Sequence, residues 1–138
     1  MNVFVDTNVL MDVMVNREPF FGKSARVWYL AETGQVNAAI STITLPNLHY
    51  LLRREHGGGF AREAMGILRD LFQLVPFDLK IVNQAVDSDI DDFEDAIQFF
   101  SAISAGATTL ITRNPKHFPA KDIAVLTPEE FLAANFPE

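Results

Sequence analysis

Three short runs of apolar or β-branched residues, Val3–Val5, Ala38–Ile40 and Thr109–Ile111, show no alternation with polar residues, and each gives way at once to a polar one: Asp6, Ser41 and Thr112. A strand without alternation has both faces covered, which is the condition of a parallel sheet packed between helices. A fourth short run, Ala124–Leu126, has the same character. Between these runs apolar residues recur at helical spacing: Val9, Leu10, Val13 and Met14; a stretch from about Pro19 through Trp28 and Leu30 to Gly34; Leu45, Leu48 and Leu52 up to Gly57–Gly59; and Ala64, Ile67, Leu68 and Leu71. Leu74–Pro76 is too short to assign, and Ile81–Val86 reads as a short helix. Asp91 followed by Glu94 reads as a capping box for a helix whose inner face is Phe93, Ala96, Ile97, Phe100 and Ile103, with Gly106 as its stop. Thr127, Pro128 and Glu130 form a second such box, for a terminal helix. The expected fold is therefore α/β, a three-layer α/β/α sandwich around a central, mainly parallel sheet.

With 138 residues the chain is one domain, 1–138. It contains no cysteine, which removes disulfides, thiolate metal sites and a thiol nucleophile and fits a reducing, cytoplasmic setting. No segment has the length of a membrane span, so no membrane partner is expected. His49, His56 and His117 lack the spacing of a zinc site, and neither a dinucleotide-binding glycine fingerprint nor a P-loop is present. The net charge of −7 is unevenly placed. Residues 1–80 balance, whereas 81–138 carry the whole excess, with Asp87, Asp89, Asp91, Asp92, Glu94 and Asp95 inside nine residues. Such a run is either a solvated helix start or a gathering of cation ligands.

Ligand crevices of parallel sheets lie beyond the carboxyl ends of the strands, where Asp6, Ser41 and Thr112 fall. Asp6 directly follows a buried strand, a costly place for a carboxylate unless donors, a helix start or a cation meet it. Asn8 lies in the first turn of the next helix and can serve either the backbone or the site. Asp92 and Asp95, three apart, share a helix face, and a divalent cation would relieve their repulsion. Asp91 and Glu94 read better as helix-start residues. On so acidic a chain any polyanionic partner would need a local basic surface. Arg113, Lys116 and Lys121 offer one around the late loop, whereas Arg53 and Arg54 read as solvated surface.

Val5-Asp6-Thr7-Asn8-Val9-Leu10, Ser41-Thr42-Ile43-Thr44, Asp92-Phe93-Glu94-Asp95-Ala96 and Thr112-Arg113-Asn114 with Phe118, taken in this order, resemble the PIN domain family from residue 2 to about 132. The resemblance implies a metal-dependent ribonuclease of the kind found as VapC-type toxins, leaving 5′-phosphate and 3′-hydroxyl ends. It implies magnesium or manganese held by Asp6, Asp92 and Asp95, and Asn8 and Thr112 as orienting residues. Expected partners are RNA, an antitoxin protein and a second copy of the chain. Two positions depart from the family pattern: Asn47 stands where a glutamate is usual and Asn114 where an acid is usual. Asn47 is then expected to orient the site and Asn114 to coordinate or hold a water. The alternative that follows from these two amides is a PIN-like domain that binds RNA or a protein without cutting efficiently. A receiver-like or phosphatase-like domain is disfavoured because Asn8 occupies the second position of the required Asp-x-Asp.

Overall fold

The computed structural model describes residues 1–138. β1 (Asn2–Val5) is followed by α1 (Thr7–Met14) and α2 (Phe21–Glu32), β2 (Asn37–Ser41) by α3 (Thr44–His56) and α4 (Gly58–Leu71), and β3 (Gln73–Val75) by α5 (Leu79–Asp87) and α6 (Phe93–Ser104). β4 (Thr109–Ile111), a 3₁₀ turn at Pro115–His117, β5 (Ala124–Leu126) and α7 (Pro128–Asn135) complete the chain. The strands form one sheet in the order β3-β2-β1-β4-β5, and every pairing is parallel.

The pleat of β1 divides the core. Val3 and Val5 point to one side and join Leu10, Leu30, Leu48, Leu52, Leu68 and Phe131, from α1–α4 and α7. Phe4 points to the other and joins Ile81, Ala85, Ile97, Phe99 and Ala102 of α5 and α6. The two faces are filled by two separate clusters, which is the expected three-layer arrangement. No helix is long and apolar enough to cross a membrane.

Four local readings are corrected. α2 starts at Phe21 rather than near Pro19, because residues 17–21 first close a turn with the Phe20 and Phe21 N–H groups on the Arg17 carbonyl. Only Gly57 breaks the chain between α3 and α4: its φ of 88° favours glycine, whereas Gly58 and Gly59 are helical. Leu74 belongs to an edge strand, recognisable only through its pairing with β2. The capping box at Asp91 and Glu94 does not form; Asp92 caps α6 instead, with its Oδ1 accepting the Asp95 N–H at 2.9 Å. On the inner face Ala96 and Ile97 are buried as expected, but Phe93 is 50% exposed and Gln98, Phe99 and Ala102 face inward. Apolar side chains on nearly every side of α6 left its orientation to tertiary packing. The box at Thr127 and Glu130 is present as expected.

Leu110 lies fully buried at the middle of β4. Leu110→Ala is expected to cost about 3–5 kcal/mol, the range for large-to-small changes that leave a cavity in a packed core, and urea unfolding would measure it.

Candidate active site

The site begins with how β1 passes into α1. The Asp6 N–H still belongs to the sheet, donating to the Ile111 carbonyl at 2.9 Å, while its side chain already caps α1 through Oδ1, which accepts the Thr7 N–H at 2.7 Å. Oδ2 accepts the Thr112 hydroxyl at 2.8 Å. The direction of that bond is set by its neighbours: Thr112 Oγ1 also receives the Asn114 N–H at 3.1 Å and the Asn8 side-chain amide at 3.4 Å, so its one proton goes to Asp6. Asn8 in turn accepts the Arg113 N–H at 3.3 Å. Thr112 thus bonds Asp6 directly, and Asn8 bonds Thr112.

Asp6 is only 7% exposed. Burial raises its pKa to about 6, the Thr112 and Thr7 hydrogen bonds pull it down, and the charges of Asp95 and Glu94 push it up. Asp95 is also raised, by burial first and then by Asp92, with His117 acting in the opposite direction. His117 Nδ1 lies 3.4 Å from Asp95 Oδ2. Asp92 lines the same cleft but spends one carboxylate oxygen on the cap of α6.

Glu94 lies in the first turn of α6, as its reading as a helix-start residue expects, and it also lines the cleft. Its Oε1 accepts the Asn47 side-chain amide at 3.1 Å across the gap between α3 and α6. The two positions are 47 residues apart, and nothing in either local sequence announces the pair. Gln98 was also missed. Fully buried, it donates from Nε2 to Thr7 Oγ1 at 3.1 Å and Thr44 Oγ1 at 3.3 Å, joining the helices that carry Asp95, Asp6 and Asn47. A glutamine among apolar residues of α6 was the available signal.

Asp6, Asn8, Glu94, Asp95 and Asn114 open onto one cleft of about 950 Å³, which Lys116, His117 and Lys121 also line. Ser41, at the end of β2, takes no part in it; its hydroxyl accepts the Ile43 N–H at 3.2 Å. Arg113 corrects the expectation of an RNA-facing side chain, because it turns away from the cleft and pairs with buried Asp12. No three acidic or histidine side chains come together closely enough to enclose an ion, so Asp6, Asp92 and Asp95 are not a preassembled cage. The donor set nevertheless suits a hard divalent cation: carboxylate oxygens predominate, and Asp6, Asp95 and Glu94 repel one another across the cleft.

A family model described as PIN domain matches residues 2–116. The chain belongs to the PIN domain family. Ribonuclease VapC1 of Aquifex aeolicus is 27% identical over 137 residues, covering 94% of this chain and 92% of that one. A toxin–antitoxin complex from Klebsiella pneumoniae contains a chain that superposes with a TM-score of 0.69 at 26% identity, over 91% of this chain and 97% of that one. A chain of the DNA-bound VapBC of Salmonella typhimurium, at 16% identity, shares the fold with a TM-score of 0.70 over 93% of this chain and 98% of that one. In this PIN domain Asn47 stands on α3 where the resemblance implies a glutamate, and its side-chain amide donates to Glu94 of α6.

The raised Asp6 pKa has a definite sign for stability. The native state keeps the Asp6 proton up to about pH 6, whereas an unfolded aspartate loses it near 3.8, so the contribution present below about pH 4 is lost as pH rises through 6. Over that interval the loss is about 2–3 kcal/mol. In chelator, Asp6→Asn is expected to melt above wild type at pH 7–8, with the advantage shrinking by that amount below about pH 4; calorimetric melting across the pH range checks it.

Proposed function

We propose that this PIN domain is a divalent-metal-dependent ribonuclease that hydrolyses RNA phosphodiester bonds and is the toxin of a toxin–antitoxin pair. The observation that carries the reading is Asp6, a buried carboxylate with a raised pKa that faces Asp95 and Glu94 at the carboxyl edge of the sheet. Support for the ribonuclease class comes from the Aquifex aeolicus relative, and support for the toxin role from the Klebsiella pneumoniae complex.

Asp6 and Asp95 would hold magnesium or manganese, with Glu94 and the oxygen of Asp92 not used in the cap as further donors. Such an ion, when bound, lowers the pKa of a water and offsets charge on phosphate oxygens. Thr112 and the Thr7 N–H hold both oxygens of Asp6 in place and favour its ionised form. Asn114 faces the cleft and can hold a water by its amide, in line with its place among the catalytic candidates. Lys116 and Lys121 set positive charge in the same cleft as the carboxylates, where RNA phosphates are drawn in. Glu94, held by Asn47, returns one of the two charges that the amides at 47 and 114 remove. This favours cutting over the reading of a domain that only binds. The proposed protein partners are an antitoxin and a second copy of this chain, and the proposed location is the cytoplasm.

Asp6→Asn and Asp95→Asn are each expected to reduce metal-dependent cleavage of a labelled RNA to the level of the blank while circular dichroism stays native, and Glu94→Gln to leave partial activity. Undiminished cleavage by Asp6→Asn would overturn the assignment. Lys116→Ala is expected to weaken RNA binding in chelator and lower the log–log salt slope by about 0.7, the share of one single-strand phosphate contact; anisotropy titrations at several salt concentrations read both.

A further inference from the structure

Arg113 stands between Thr112, whose hydroxyl bonds Asp6, and Asn114, which lines the cleft, yet its own side chain does not line that cleft and runs to Asp12 of α1. Its Nε lies 2.8 Å from Asp12 Oδ2, and its guanidinium group lies 4.2 Å from the centre of the Phe20 ring. Asp12 is fully buried. Arg17 approaches its other oxygen at 3.7 Å from a half-exposed position, and the Ser24 hydroxyl donates at 3.4 Å. The Asp12–Arg113 pair therefore joins α1, the segment before α2 and the loop after β4.

Stability does not account for such a group. Replacing a buried ion pair with apolar residues is often neutral or stabilising, so a charge inside α1 points to a requirement for a particular geometry. The loop it ties is the one that must hold still. Thr112 is fixed by its N–H to the Leu126 carbonyl at 2.9 Å; Asn114 is held toward the 3₁₀ turn by the His117 N–H on its carbonyl at 3.0 Å, and toward Asp6 by the Arg113 N–H on Asn8 and by its own N–H on Thr112 Oγ1. Movement at residue 113 releases the Asn114 N–H, which is one of the two donors that direct the Thr112 proton to Asp6.

We infer that Arg113 is a positioning residue: its tie to Asp12 and Phe20 holds the Thr112–Asn114 loop so that the Thr112 hydroxyl stays on Asp6 and Asn114 stays at the cleft. The inference rests on the nuclease reading for its effect on turnover, but not for its effect on the loop. An arginine gripping RNA would be exposed toward the cleft, whereas this side chain is 21% exposed and turned from it.

The test uses the full chain with Arg113→Gln, Asp12→Asn and the double variant Asp12→Asn with Arg113→Gln. The double variant removes both charges together and leaves neither buried alone, which guards against a mere failure to fold. In each folded variant, kcat on a labelled RNA is expected to fall about 10–100-fold, as when groups that orient metal ligands are removed. RNA affinity in chelator is expected to change by less than about twofold, and the double variant to lose no more than the worse single one, because the two residues make one tie. Backbone amide exchange at Asn114, followed by NMR without metal or RNA, is expected to quicken in all three. Weaker RNA binding in Arg113→Gln with unchanged kcat, and no effect of Asp12→Asn, would overturn the inference in favour of an RNA contact. Unchanged Asn114 exchange and unchanged kcat per folded molecule would overturn it in favour of a wholly structural pair. Should wild type cleave no RNA, the nuclease reading falls, and Asn114 exchange alone decides the tie.

Discussion

Asp6 places a carboxylate, 7% exposed, between the last residue of β1 and the first turn of α1. Burying that charge is tolerable only where donors are fixed around it, and the fold supplies them from both sides. One oxygen meets the start of α1 through Thr7, and the other meets the end of β4 through Thr112. Both donors are available because β1 and β4 are parallel neighbours, so that their carboxyl ends emerge side by side. The βαβ connections that make such neighbours also cover both faces of the sheet.

The carboxylate face of the cleft is electrostatically unfinished. Asp6 and Asp95 are both held above the ordinary aspartate value, each chiefly by burial, with repulsion from Asp95 and Glu94 added at Asp6 and from Asp92 and Glu94 at Asp95. Asp92 tempers its own part by capping α6, and His117 leans against Asp95 from the 3₁₀ turn. The negative excess of the second half of the chain is thereby concentrated at one crevice and faced by Lys116 and Lys121 from the same half. In the proposed nuclease, a divalent cation at the carboxylates would offset their repulsion and leave the lysines free to meet a polyanion.

Much of this was legible in advance, because it depends on residues close together in sequence. The runs Val3–Val5 and Thr109–Ile111 are too short and too uniformly apolar for anything but buried strands, and the polar residue after each falls at the crevice of a parallel sheet. Thr127 and Glu130 make their cap within four residues. The inner face of α6 was read correctly at Ala96 and Ile97 and wrongly at Phe93, which is exposed, because Phe93 satisfies helical spacing as well as the buried Phe99 and Ala102 do. Spacing tells that a face exists; which face is buried depends on what packs against it.

The sequence by itself determined the α/β class, the buried strands and the placement of Asp6, Thr112 and Asp95 at a strand end or helix start. Hydrophobic periodicity and capping chemistry act over a few residues, and a chain carries that information locally. Tertiary structure alone decided that Glu94 enters the site by way of Asn47, that Gln98 ties three helices under it, and that Arg113 serves Asp12 instead of the cleft. Each of these is a polar side chain whose partner lies tens of residues away. A polar group takes whichever partner the packed helices bring within hydrogen-bonding distance, and that is settled only once the layers have closed on the sheet.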